Sequence, residues 1–169
     1  MPFFEGEIAF AGIDGSATPT GGTGLGDATS VDFNSAAGIY VFGTSGDFTA
    51  IPILTPATFF DFVFAPSAPA DPLWQITLGD TVYQFVVEMF TVVTQTSNIL
   101  AIEGTGYLSA TDFSDTSGTW AFSLDQSGST VFGWSSTTAV VPEPGSLALL
   151  GIGLMGLGLT RRRRLQLQS

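Results

Sequence analysis

The chain has 169 residues, 15 acids, four arginines and no Lys, His or Cys, for a formal net charge of -11. That composition excludes a Ser-His-Asp triad, a cysteine nucleophile, a Schiff-base lysine, a His/Cys zinc site and any disulfide. Charge is also segregated: fourteen of the acids and none of the basic side chains fall in residues 1–140. Such a body is repelled by nucleic acid and bare anionic lipid, and is compatible with polysaccharide, Ca²⁺ or basic partners.

Taken in order, Phe4 to Ile13 alternates, with Phe4, Ile8 and Phe10 on one side and Glu5 and Glu7 on the other, which predicts a strand. No basic region precedes an apolar segment there, so a secretory leader is expected upstream of this start. Asp14 to Asp27 is rich in Gly, Thr and Pro and reads as a loop. Short β-branched and aromatic runs follow at 29–33, 38–42, 46–51, 58–64, 73–78, 82–93, 98–103, 106–109, 119–124 and 130–134. Gly/Ser/Asp/Pro turns separate them. No stretch of the body has a 3.6-residue period.

About ten short strands with such turns predict an all-β fold, an antiparallel β-sandwich or jelly roll, over residues 1–134. Val82 to Val93 is the expected central strand, with Tyr83, Phe85, Val87 and Met89 on one face. Phe59, Phe60, Phe62, Phe64, Trp74, Phe85, Trp120 and Phe122 are the expected core. Residues 135–140 read as a Ser/Thr linker.

Two acid-only chemistries remain. A glycoside hydrolase needs a carboxylate pair, and Glu88 with Glu103 is the strand-borne candidate, although acids on strand faces are ordinarily solvated. Calcium needs oxygen ligands, for which Asp14, Asp27, Asp112 and Asp115 are candidates. A flexible loop and a turn are the plainer readings of those segments. A flat ice-binding face wants a repeated Thr ladder, and Thr94-Gln95-Thr96 and Thr18-Pro19-Thr20 are isolated.

The C-terminal stretch is different in kind. Val141-Pro142-Glu143-Pro144 precedes an uncharged apolar run, Gly145 to Thr160, and then Arg161-Arg162-Arg163-Arg164. As a helix rising about 1.5 Å per residue the run spans roughly 24 Å, short of a bilayer core of about 30 Å but extended by Val140, Val141 and the arginine stems. It predicts a single transmembrane helix. The arginines place residues 165–169 in the cytoplasm by the positive-inside rule. The two prolines hold residues 141–144 extended and accessible. Gly151-Ile152-Gly153-Leu154-Met155-Gly156 fits a dinucleotide fingerprint, but lacks the strand before it and the acid after it.

Motif, apolar run and arginine cluster together resemble the PEP-CTERM sorting domain of Gram-negative bacteria, also known as an ice-binding protein C-terminal domain. The resemblance covers residues 140–164. Gly46 to Thr49, Asp61 to Phe64, Leu73-Trp74 and Gly118 to Phe122 also resemble stretches in the bodies of such proteins. The resemblance implies an exosortase as partner, acting at Pro142-Glu143-Pro144. It implies an inner-membrane precursor whose mature body reaches the cell envelope or an exopolysaccharide matrix. It makes the chain a substrate of that chemistry, not an enzyme.

Overall fold

In the computed structural model the structure describes residues 1–34 and 36–136. Eleven strands are present: β1 (Glu7–Gly12), β2 (Ala17–Thr20), β3 (Ser30–Phe33), β4 (Ile39–Thr44), β5 (Pro56–Phe59), β6 (Phe62–Val63), β7 (Trp74–Leu78), β8 (Thr81–Gln95), β9 (Ile99–Ala110), β10 (Thr116–Asp125) and β11 (Thr130–Ser136). Two short 3-10 turns, Leu25–Asp27 and Gly46–Ala50, are the only helical elements among the described residues. The all-β antiparallel expectation holds. The sandwich does not: eight strands close into a barrel in the order β1-β11-β10-β9-β8-β7-β5-β4. Closure comes from β1, which pairs with β11 on one side and β4 on the other. Every barrel strand then has two neighbours, although residues 86–95 of β8 run on beyond β7 and pair with β9 alone.

Alternation along each strand sends one set of side chains inward. Ile8, Phe10, Val41, Trp74, Ile76, Phe85, Leu108, Trp120, Leu124, Phe132 and Trp134 are all buried. The rings interlock: Phe10 lies 4.7 Å from Trp74, and Phe85 lies 5.5 Å from Phe132. Such pairs add about 0.5–1.5 kcal/mol each beyond the area they bury. A three-stranded sheet, β2-β3-β6, supplies Phe33 and Phe62, which reach Phe122 and Trp120 of β10. Another part of the core is formed by Phe4, stacked on Phe48 and Phe113, with Phe48 against Trp134.

Several local expectations are corrected. Gly46 to Ile51 is not a strand. Gly46 has φ +59, Thr49 Oγ1 donates to its carbonyl at 2.8 Å, and the tight turn drives Phe48 into the core. Within the expected loop, residues 17–20 form β2, because β3 supplies a partner and Thr20 shares a 2.6 Å hydroxyl contact with Ser30. Phe60 is 40% exposed, since it follows the inward Phe59 and alternation turns it out.

Met89 is 69% exposed. The ladder with β9 pairs Val87 with Gly106 and Met89 with Thr105, leaving Glu88 as an extra residue. That bulge shifts the inward face from odd to even positions, so Phe90 and Val92 pack on the core instead. The two strands expected at 98–103 and 106–109 are one, β9, with two glycines inside it. A Cβ on Gly106 would lie 2.6 Å from Phe85 Cζ, so the ring occupies the space a side chain would need.

Candidate functional site

The outward residues of the barrel wall fall into cross-strand rows. Ala9 pairs with Gly133, Gly133 with Ala121, Ala121 with Glu103, and Glu103 with Thr91. Because these residues carry little or no side chain up to Glu103, the row is a furrow running across the strands. The next row is Glu7, Ser135, Thr119, Thr105 and Met89. It forms a wall of hydroxyls with a carboxylate at one end. Ser135 Oγ donates to Glu7 Oε1 at 3.3 Å. The hydroxyls of Thr91, Thr105 and Thr119 have no protein partner among the described residues.

All of these residues except Met89 line a depression of about 670 Å³. A second depression of about 390 Å³ shares Ala9, Glu103, Ala121 and Gly133 and is lined further by Val93, Ala101 and Val131. Beneath the furrow, Trp120 Nε1 donates to the Thr105 carbonyl at 3.1 Å, which fixes the β9–β10 wall. Trp134 Nε1 and Trp74 Nε1 are buried without a partner among the described residues. The surface offers acceptors, hydroxyls and shallow apolar contact. It has no basic side chain among its lining residues.

The acidic candidates from the sequence do not converge on one site. Asp14 accepts from Ser127 Oγ at 3.0 Å and from Ser129 Oγ at 2.5 Å. The same Ser127 hydroxyl lies 2.6 Å from Asp125 Oδ1. Asp14 and Asp125 are therefore stitched together across the β10–β11 turn. Asp125 was not singled out by the sequence: its Gln-Ser-Gly surroundings read only as a turn, and Asp14 is remote along the chain. The Ser127 hydroxyl, followed by backbone amides of Ser129 and Ser127, holds the Asp125 carboxyl below its usual pKa.

Asp27 closes its own loop, accepting from the Thr23 amide at 2.9 Å, the Thr23 hydroxyl at 2.8 Å and the Gly24 amide at 2.9 Å. Those bonds, the Thr23 amide foremost, hold it below the usual carboxylate pKa. Asp112 sits in a turn at φ 68. Asp115 shares the surroundings of Tyr107 with Asp71 and Glu88; burial first, then these charges, push the Tyr107 phenol up. Among the described residues no three acidic side chains gather as a metal site would require.

Glu88 and Glu103 line separate depressions, Glu88 with Ser67, Pro69 and Phe90, and Glu103 in the furrow. The motif Val141 to Pro144, the run 145–160, Arg161 to Arg164 and the linker residues 137–140 lie outside the described residues, while Ser135 and Ser136 belong to β11. Among the described residues no helix is long and apolar enough to cross a membrane.

Residues 140–164 match the family model of the PEP-CTERM protein-sorting motif. The chain thus carries a PEP-CTERM sorting signal at the place where motif, apolar run and arginines stand in order. Neither the curated proteins nor the solved structures yield a match to the chain.

Proposed function

We propose that the chain is an exported, non-enzymatic surface or exopolysaccharide-matrix protein of a Gram-negative bacterium, sorted by an exosortase. The match of residues 140–164 to the sorting motif carries this reading. Its physical logic is that of a removable hydrophobic tail: the apolar run 145–160 holds a precursor in the inner membrane, and cleavage leaves no spanning segment. Pro142 and Pro144 keep the motif extended for the transpeptidase. The barrel is the cargo. Its role is structural or binding, since residues 1–140 offer no His, Cys or Lys and the two strand glutamates do not share a depression.

Intact-mass measurement of the exported protein, in a host that has the exosortase, tests the proposal. The mature species is expected to lack the apolar run and the arginines. Pro142→Ala with Pro144→Ala is expected to leave a membrane-retained precursor. A mature exported form still ending at Ser169 overturns it.

A further inference from the structure

We propose that the furrow across β1, β11, β10 and β9 binds an extended glycan bearing free amines, a hexosamine polymer whose nitrogens are not acetylated. The inference concerns the barrel alone and holds whether or not the tail is processed. It rests on shape, spacing and charge.

The floor is the row Ala9–Gly133–Ala121, which lets a ligand lie close to the backbone of three strands. A Cβ on Gly133 would meet nothing within 4 Å, so the space above it is open. The wall presents one hydroxyl per strand, from Ser135, Thr119 and Thr105 in register. These hydroxyls therefore recur at the inter-strand spacing, about 4.8 Å, while an extended peptide repeats about every 3.3 Å. The longer repeat is close to the rise of one hexose unit. A glycan laid along the furrow would meet one hydroxyl per sugar, and a peptide would drift out of step within two residues. A peptide also prefers a free strand edge, and β1, β11, β10 and β9 are each paired on both sides along the furrow.

Charge then selects among glycans. The furrow's two ionisable side chains are Glu7 and Glu103, at opposite ends of a path of three strand steps, roughly 14 Å. No basic side chain occurs in residues 1–140 to neutralise them. A polyanionic glycan would be repelled; protonated amines at the two ends of a short hexosamine segment would meet the carboxylates and be held by charge-assisted hydrogen bonds.

The test uses the full chain in a polyoxyethylene detergent, titrated with glucosamine oligomers of about four units, one for each of the four strands. Three comparisons run beside it: the fully N-acetylated oligomer, an oligolysine of matched charge, and the Gly133→Leu variant. Gly133→Leu fills the floor without touching the core, and unchanged circular dichroism checks its fold. The expected result is binding that weakens as NaCl rises. It should fall at least about tenfold for the acetylated oligomer and for Gly133→Leu, and several-fold for Glu7→Gln with Glu103→Gln. The proposal is overturned if the amino-sugar oligomer does not bind. It is equally overturned if Gly133→Leu or the acetylated oligomer binds as well, or if oligolysine competes on equal terms.

Discussion

Phe90 stands directly across the β8–β9 ladder from Gly104, and it faces the core only because Glu88 has been squeezed out of register two residues earlier. The ring fills against Phe62 at 4.9 Å and Trp120 at 6.2 Å. Gly104 has no room for a side chain: a Cβ there would collide with the Met89 carbonyl and lie 2.7 Å from Phe90 Cα. Bulge, glycine and ring form one device.

Gly104→Ala should therefore destabilise the barrel by about 1–3 kcal/mol, the usual cost of overpacking. Gly133→Ala, on the outer face with open space above it, should be neutral or gain about 0.5 kcal/mol from the smaller backbone entropy loss. Urea denaturation of the two variants checks this. Equal midpoints would contradict the close approach at Gly104.

The tryptophans offer a second comparison. Trp120 Nε1 is hydrogen-bonded to Thr105, whereas Trp134 Nε1 is buried and unpartnered. Both changes to Phe leave similar voids. Trp120→Phe also removes the hydrogen bond to the Thr105 carbonyl, while Trp134→Phe removes a donor whose burial already costs about 1–3 kcal/mol. Trp134→Phe should be the milder change by on the order of 1 kcal/mol. A denaturant midpoint lower for Trp134→Phe than for Trp120→Phe would refute that ordering.

Much of the core was legible because period 2 survives in any antiparallel arrangement. Trp74, Phe85, Trp120 and Phe122 sit on the opposite parity to Gln75, Gln84, Thr119 and Ser123, and are buried as that pattern demands. The same argument explains what could not be read. Sandwich and barrel share one alternation, and only the pairing of β1 with both β4 and β11 separates them. Glu88 is polar on either parity, so nothing local announces the bulge that sends Met89 out. Phe48 and Ile51 mimic a strand although a 3-10 turn buries both. The furrow is a row of residues from different strands; Ala9, Gly133 and Ala121 are inconspicuous until register aligns them. The sorting motif was legible in full, because its information is contiguous in sequence.

Acid should act through two loops. Asp27 and Asp125 have carboxyls held below their usual pKa by hydrogen bonds from Thr23 and Ser127 respectively. A lowered folded pKa means the unfolded chain takes up the proton first. The stabilisation is complete above about pH 3.9, the ordinary value, and is lost as pH falls through the folded values. Both side chains are solvent-exposed, so the effect is small. Thermal melts should show no fall from these groups between pH 7 and pH 5, and a decline below about pH 4. Asp27→Asn with Asp125→Asn should flatten that decline. A double variant that declines as steeply as the parent would remove these loops from the account.

The remaining carboxylates make a prediction about salt. Residues 1–138 carry fourteen acids and no basic side chain, so their mutual repulsion opposes folding. The Debye length shortens from about 30 Å at 0.01 M to about 10 Å at 0.1 M salt, and a fragment of residues 1–138, with far-UV circular dichroism dominated by β-structure, should melt higher as NaCl rises. Calcium tests whether any of these acids forms a site. Among the described residues Asp14 and Asp125 are the one pair of carboxylates tied through shared serines, and both are already engaged with Ser127. Asp27 is engaged within its own loop. CaCl₂ should therefore raise the melting temperature no more than screening by a divalent counter-ion does, and Asp14→Asn should leave that increment unchanged. An excess over NaCl of equal ionic strength that disappears in Asp14→Asn or Asp125→Asn would instead establish a calcium site at the β10–β11 turn. The two serines would then be ligand-positioning groups rather than partners that satisfy the carboxylates.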